Sequence, residues 1–352
     1  MTESTMSDRT WILDLSLPEL SDELQALGMK PYAADQVFQW IYRKGVLAPE
    51  LWTNIGKSHL ERISGRFRTA GNPVLRETGD REGTRKFLIG LDDGLRVEAV
   101  LIREKNHHTF CVSSQVGCPL ACRFCATGAM GFRRNLTSGE ILSQILILKN
   151  ALSVGGEKPN LVFMGMGEPL LNYPNLKKAL ETVTSEKGMV LSPRNVTVST
   201  AGILDGLRRL EHDFPLVKIA LSLNASSQKM REELMPIAKT EKLDAILDYF
   251  RSRKRRHRIT FEYVLIGGIN DSAADARALC RMLRGIGAKL NLIPFNPIPA
   301  SPLRVPHPDT VDRFLEILHD CGFTAIVRWS KGQSIRSACG QLVTESSAAE
   351  TL

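Results

Sequence analysis

Between Thr109 and Trp329, short β-rich runs alternate with amphipathic stretches, and this alternation constrains the fold more than any other property of the chain. The runs are Phe110 to Ser114, Leu161 to Met164, Val196 to Thr200, Lys218 to Leu223, Ile259 to Ile266, Leu290 to Phe295 and Thr324 to Trp329. Segments such as Ser138 to Ala151 and Leu243 to Arg253 lie between them with helical spacing. Parallel strands need long crossovers, which helices supply, so an open or closed α/β barrel is expected. Function should then sit at the C-terminal ends of the strands.

The preceding segments read differently. From Leu17 to about Phe67 the apolar residues fall at helical spacing, with Leu17, Leu20, Leu24 and Leu27 on one stripe and Val37, Trp40 and Ile41 on another after Pro31. Lys86 to Leu91 and Arg96 to Ile102 flank the turn signal Asp92-Asp93-Gly94 and read as a hairpin. The expected division is a helical accessory domain at 1–70, a β-hairpin linker at 71–105, a core barrel at 106–342 and a disordered tail at 343–352. With 352 residues, 43% of them hydrophobic, the chain can bury a substantial core. The first residues, through Met6 and Asp8, contain no apolar h-region, and no apolar run approaches the roughly 20 residues of a membrane span. A soluble cytoplasmic protein is expected. Its net charge of +8 would attract polyanions, RNA and DNA foremost.

Four of the seven cysteines crowd between Cys111 and Cys125, which is not the layout of a secreted disulfide framework. Cys118, Cys122 and Cys125 stand at C-x3-C-x2-C on a loop just after the first barrel strand. Three thiolates on one loop can ligate three irons of a four-iron cluster and leave the fourth open. Such an iron can chelate the amino and carboxylate groups of S-adenosylmethionine and pass an electron into its sulfonium. The alternative is a closed zinc site with Cys111 as fourth thiolate, although the paired C-x2-C knuckles of such sites are absent. Cys280 and Cys321 lie in helical segments and read as core.

Other motifs stand at strand ends. Glu168 follows glycines after the Leu161 to Met164 strand, either as an ordinary Gly-Glu-Pro turn or as a carboxylate aimed at a cofactor ammonium. Ser199, Ser222, Leu223, Asn224 and Asn296 lie at or just past strand C-termini, as turn residues or as contacts to a cofactor's ribose and carboxylate. The segment Cys111 to Leu136, the motif Gly165-Met-Gly-Glu-Pro-Leu170 and the ending Ala338-Cys-Gly-Gln-Leu342 together resemble the RlmN family of dual-specificity RNA methyltransferases, over nearly the whole chain. The sister family Cfr shares the cysteines and the ending. Pro169 favours RlmN, because Cfr tends to place Ala there.

The resemblance implies a partial, open βα barrel of the radical SAM type, one [4Fe-4S] cluster on Cys118, Cys122 and Cys125, and two molecules of S-adenosylmethionine per turnover. It assigns cofactor binding to Gly167, Glu168, Ser199, Ser222, Leu223, Asn224 and Asn296, with Asn224 standing where relatives often carry His. It makes Cys339 the methyl-carrying residue, Glu98 the proton acceptor, and Cys111 the resolving thiol that forms a transient disulfide with Cys339. The implied reaction methylates C2 of adenosine 2503 in 23S rRNA and of adenosine 37 in tRNA. An external electron donor such as flavodoxin and a monomeric state are expected. A Cfr-like C8 methyltransferase and a non-catalytic zinc RNA-binding protein are the competing readings.

For RNA, the run Arg251 to Arg258 precedes a strand and so lies opposite the active end, where it reads as a solvated helix end. Lys30, Arg43 and Lys44 of the helical segment and the Arg133-Arg134 pair are the expected phosphate contacts.

Overall fold

Helix α1 (Leu17–Ala26) begins at a reciprocal cap in which the Ser16 hydroxyl takes the Glu19 N–H and the Glu19 carboxylate takes the Ser16 N–H. With α2 (Tyr32–Phe38), which runs on into a π-helical turn at Gln39–Arg43, and α3 (Lys57–Arg66), it buries Leu20, Leu24, Val37, Ile41, Trp52 and Ile63. The short strands β1 (Thr10–Trp11) and β2 (Phe67–Arg68) pair in parallel and close the unit. The chain is described here from a computed structural model covering residues 9–104, 107–152, 159–253, 258–299 and 301–344. Residues 345–352 of the expected tail, 254–257 of the basic run and the first eight residues lie outside these.

A mixed sheet of ten strands dominates the rest. In chain order these are β3 (Val74–Gly79), β4 (Arg85–Gly90), β5 (Arg96–Arg103) and β6 (His108–Cys111), followed after the separate pair β7 (Gln115–Gly117) and β8 (Phe132–Asn135) by β9 (Asn160–Phe163), β10 (Val196–Thr200), β11 (Lys218–Ser222), β12 (Ile259–Leu265), β13 (Ala288–Pro294) and β14 (Thr324–Val327). β6 and β9 to β14 pair in parallel in sequence order, which is the arrangement the alternating pattern implies. The sheet runs from β14 to β3 with both edges unjoined among the described residues, an open barrel.

The hairpin of β4 and β5 is present, but it does not stand apart as a connector. β5 pairs onward with β6, and β3 adds a further antiparallel strand, so 74–103 extends the barrel sheet itself. The reason is in β5, where Val97 to Leu101 is buried at every position, the burial of a strand covered on both faces.

Helix α4 (Ser138–Asn150) opens on a Thr137–Glu140 capping box and is buried on nearly every side, because the sheet covers one face and the N-terminal helices the other. Asp14 accepts the Gly139 N–H at 2.7 Å, and Lys149 donates to the carbonyls of Tyr42 and Arg43 at 2.7 Å, so the helical unit is tied to both ends of α4. On the far side, α5 (Ala273–Met282) packs on α6 (Pro308–Asp320). There the reading of Cys280 and Cys321 as core residues is corrected. The two form a disulfide, with Cα atoms 6.1 Å apart, because Cys321 caps α6 beside the buried Cys280.

Candidate active site

Glycine permits the close approaches on which the site is built. The β7–β8 pair brackets the cysteine loop, and a Cβ on Gly117 would lie 1.8 Å from the Gly131 carbonyl, with φ at +74°. Within the loop, Cys118 N–H bonds Gly131 C=O at 3.0 Å and Arg123 N–H bonds Leu234 C=O at 3.0 Å, which fixes the segment over the mouth of the sheet. After β9, a Cβ on Gly167 would lie 2.5 Å from that of Gln115. The Gln115 amide oxygen accepts the Glu168 N–H at 2.8 Å, setting that carboxylate beneath the cysteine loop.

Cys118, Cys122 and Cys125 line one cleft of about 150 Å³. Gly167, Glu168, Ser199, Ser222, Asn224 and Asn296 line the same cleft, as does Cys339. The structure therefore brings together the strand-end residues singled out in the sequence, except Leu223. That side chain is fully buried away from the cleft, and its N–H bonds the Glu262 carbonyl at 2.9 Å.

Several of these groups are already engaged. Glu168 is buried and accepts the N–H groups of Ala201 at 2.7 Å and Leu170 at 3.1 Å; burial still wins over these bonds and raises its pKa to about 7. Asn224, at φ +56°, spends its side-chain oxygen on the Val264 N–H at 2.9 Å and so shapes the backbone. Asn296 donates to Ser330 Oγ at 2.9 Å and to the Cys339 carbonyl at 3.0 Å and accepts from Gln333 at 2.9 Å, clamping the C-terminal loop. Burial pushes the Cys118 thiol up to about 12 and that of Cys122 well above the ordinary thiol value, with neighbouring thiols adding to the rise.

A second cleft adjoins the first and is lined by Ile102, Cys111, Arg328, Trp329 and Cys339. Cys339 thus stands on the partition between the two. Cys111 lies at the end of β6, buried, with its pKa raised chiefly by burial and next by Cys339. Cys339 is exposed, on the loop that Gly340 and Leu342 pin to the helical turn Ala126–Ala129, just after the cysteine loop, through the Ala126 N–H and the Thr127 hydroxyl, each at 2.7 Å. Although the residue keeps solvent access, the protein packed around its thiol desolvates the thiolate and raises the pKa of Cys339 to about 11. Glu98 lines neither cleft. It shares the Cys111 face of the sheet, since Val100 pairs with Cys111, and it meets Lys86 Nζ and the Val343 N–H at 2.8 and 2.9 Å. Burial raises its pKa despite Lys86.

Two charged groups escaped the sequence reading. Glu262 on β12 is buried between the first cleft and the base of the barrel and accepts from Ser199 Oγ at 3.0 Å. Its signal was available, an acid within the apolar run Ile-Thr-Phe-Glu-Tyr-Val-Leu. Arg231 is fully buried and donates to the carbonyls of Ala201, Ser222 and Leu223, fastening the ends of β10 and β11 under the cleft. Its burial lowers its pKa to about 10. Nothing in Gln-Lys-Met-Arg-Glu-Glu marks it as buried. Arg134, expected to meet phosphate, is held instead by Asp93 at 2.6 Å and Glu140 at 2.7 Å, whereas Arg133 is exposed.

Residues 112–280 match the radical SAM superfamily, and residues 10–68 match the ribosomal RNA large subunit methyltransferase N-terminal domain. The chain is 46% identical over 343 residues to the dual-specificity RNA methyltransferase RlmN of Solidesulfovibrio magneticus, covering 96% of this chain and 97% of the relative. The chain belongs to the RlmN family. The probable RlmN of Aquifex aeolicus is 42% identical, with 95% and 97% covered. A crystal structure of a radical SAM methyltransferase from Sphaerobacter thermophilus superposes with a TM-score of 0.92 at 38% identity, covering 96% of this chain and all of that one. An RlmN-family chain is a radical SAM RNA methyltransferase, and the non-catalytic zinc reading falls. No helix among the described residues is long and apolar enough to cross a membrane.

The donor set fits the iron-sulfur cluster that the superfamily implies. Three thiols from one loop face a cleft, while Cys111, the fourth ligand of a zinc site, lines only the neighbouring cleft.

Proposed function

We propose that the protein methylates C2 of adenosine 2503 in 23S rRNA and of adenosine 37 in tRNA by way of a methyl group carried on Cys339. The observation that carries this reading is the place of Cys339 on the partition between a cleft holding three clustered thiols and a cleft holding Cys111. A [4Fe-4S] cluster on Cys118, Cys122 and Cys125, fed by an external one-electron donor such as flavodoxin, supplies reductive cleavage of S-adenosylmethionine, of which two molecules serve each turnover.

Gly167 lets backbone approach the cofactor closely, and Glu168, Ser199, Ser222, Asn224 and Asn296 offer polar atoms to its ammonium, ribose and carboxylate, with Leu223 contributing through backbone. Cys339 faces the cofactor on one side and receives its methyl carbon there. On the other side the same carbon would be presented to an adenine: it would give up one hydrogen atom to the radical that cleavage of the second S-adenosylmethionine supplies, bond to C2, and, with loss of one electron and of the C2 proton, leave a covalent protein–RNA adduct. Glu98, which lines neither cleft, takes the C2 proton, a task suited to a buried carboxylate with a raised pKa, once its bonds to the Val343 N–H and to Lys86 Nζ give way and open it to the second cleft. The Cys111 thiolate attacks Cys339 Sγ, forming a disulfide and leaving the carbon on RNA as a methyl group after protonation. Cellular reductant reopens that disulfide, and the protein acts as a cytoplasmic monomer.

Mass spectrometry of nucleosides from rRNA and tRNA of a deletion strain complemented with this gene tests the assignment. The expected product is 2-methyladenosine in both RNAs; 8-methyladenosine alone would assign the Cfr-like reaction instead.

A further inference from the structure

Trp329 is the most exposed large apolar side chain among the described residues, at 60%. The other three tryptophans, Trp11, Trp40 and Trp52, are 9%, 9% and 0% exposed. An indole left in water costs hydrophobic free energy unless something covers it, and large exposed aromatics are enriched at binding surfaces. Trp329 stands two residues past the end of the edge strand β14 and lines the second cleft together with Cys111 and Cys339.

The loop that carries it is anchored. Asn296 holds Ser330 at 2.9 Å, and Lys331 Nζ spans from the β14 side to the Arg103 carbonyl at the end of β5, at 2.7 Å. The indole is therefore presented from a fixed base at the open seam of the barrel. Arg328, exposed beside it, adds positive charge to the rim of the same cleft. A rigid exposed aromatic next to a guanidinium at the mouth of a cleft is the arrangement on which unpaired nucleobases stack, the ring giving the platform and the cation drawing in phosphate. An apolar peptide partner would not call for the cation, and an RNA helix could not bring a paired base to the ring.

We infer that Trp329 is a stacking platform for an unpaired base of the RNA substrate, holding the strand at the entrance to the cleft that contains Cys111 and Cys339. This rests on the RNA-methyltransferase reading and names how that site grips its substrate. Trp329 is a positioning residue, acting on the strand and not on the reacting carbon.

Because one tryptophan of four is solvent-exposed, acrylamide quenching of the full-length protein reports on Trp329 selectively. The ligands are a short RNA stem-loop with an unpaired adenosine in its loop and the same stem-loop with an abasic site at that position. The adenosine loop is expected to protect Trp329 from acrylamide and the abasic loop to leave it open. By anisotropy of the dye-labelled RNA, Trp329→Ala should weaken binding about 5- to 150-fold, the range for loss of one stacked base, and Trp329→Phe should restore most of it. Tight, salt-sensitive binding of the loop with unchanged quenching, or a Trp329→Ala affinity within twofold of the parent, would overturn the inference and leave the RNA reading standing. Equal protection by the abasic loop would assign the contact to the RNA backbone and also overturn it. Absence of salt-dependent binding to either RNA would instead remove the RNA reading on which the inference depends.

Discussion

The two clefts that meet at Cys339 are built in opposite ways. The thiol end of the first is assembled locally: its three thiols sit within one loop and its carboxylate follows the very next strand of the barrel, while Ser199, Ser222, Asn224 and Asn296 reach it from strand ends across the sheet. The second is assembled at long range, from Cys111 on β6 and the C-terminal loop with Cys339, brought together by a clamp through Asn296 and a tie across the open edge. Glycine packing sets the thiol end of the first, whereas side-chain hydrogen bonds from Asn296, itself in the first cleft, hold the C-terminal loop that forms the second. On the proposed function, the cofactor side is fixed by backbone packing and the acceptor side is held by side-chain bonds that can be exchanged, as a site that must admit, bind and release a macromolecule requires.

The sharpest way to break this division is to remove one thiol from each part. Cys118→Ala should abolish both S-adenosylmethionine cleavage and RNA methylation, by roughly 10⁴-fold or more, with loss of iron and labile sulfide after anaerobic reconstitution. Cys339→Ala should abolish RNA methylation to the same degree while iron content and reductive formation of 5′-deoxyadenosine persist. If that variant also lost its iron, the two clefts would not be separable. Cys111→Ala should leave both cofactor binding and adduct formation intact and accumulate a protein–RNA species on denaturing gels; free methylated RNA released at the parental rate would refute its resolving role.

The same contrast explains what the sequence could and could not reveal. The cysteine loop and the Gly-Met-Gly-Glu motif were legible because their geometry is set within a few residues, and the order of the parallel strands followed from alternation alone. That β5 pairs onward with β6 was not legible, because a hairpin signal says nothing about what pairs with its outer strand. Asn296 shows the limit most plainly. It stands at a strand end and reads as a cofactor contact, yet its three partners lie more than thirty residues downstream, on a loop with no periodicity to betray it. Arg231 and the Cys280–Cys321 pair were hidden for a like reason, since burial of a cation and apposition of two distant thiols are tertiary facts.

If the acceptor side is held by exchangeable bonds, loosening it should cost moderate and measurable amounts. Asn296→Ala removes the bonds to Ser330, Gln333 and the Cys339 carbonyl, a loss of about 1–3 kcal/mol at a buried polar group. Amide hydrogen exchange across residues 330–343 should accelerate, and RNA methylation should fall about tenfold. Unchanged exchange in that segment would mean that something other than Asn296 holds the loop.

On the rigid side the expected effect is on the pH dependence of stability, with the smallest change in turnover. Glu168 has an ordinary carboxylate pKa of 4.5 in the unfolded chain and about 7 when buried in the protein without its cofactor. Between those values the folded protein keeps a proton that the unfolded chain has released, so stability falls as pH rises through the window, reaching a full penalty of up to about 3 kcal/mol above pH 7. Glu168→Gln removes the ionisation. In cofactor-free protein the variant should therefore melt higher than the parent at pH 8, with the gap closing toward pH 4.5. A gap of the same size at pH 5 and pH 8 would show that the Ala201 and Leu170 N–H groups fully compensate the buried charge, and the cofactor cleft would then be preformed for an anion rather than strained by one until the cofactor ammonium arrives.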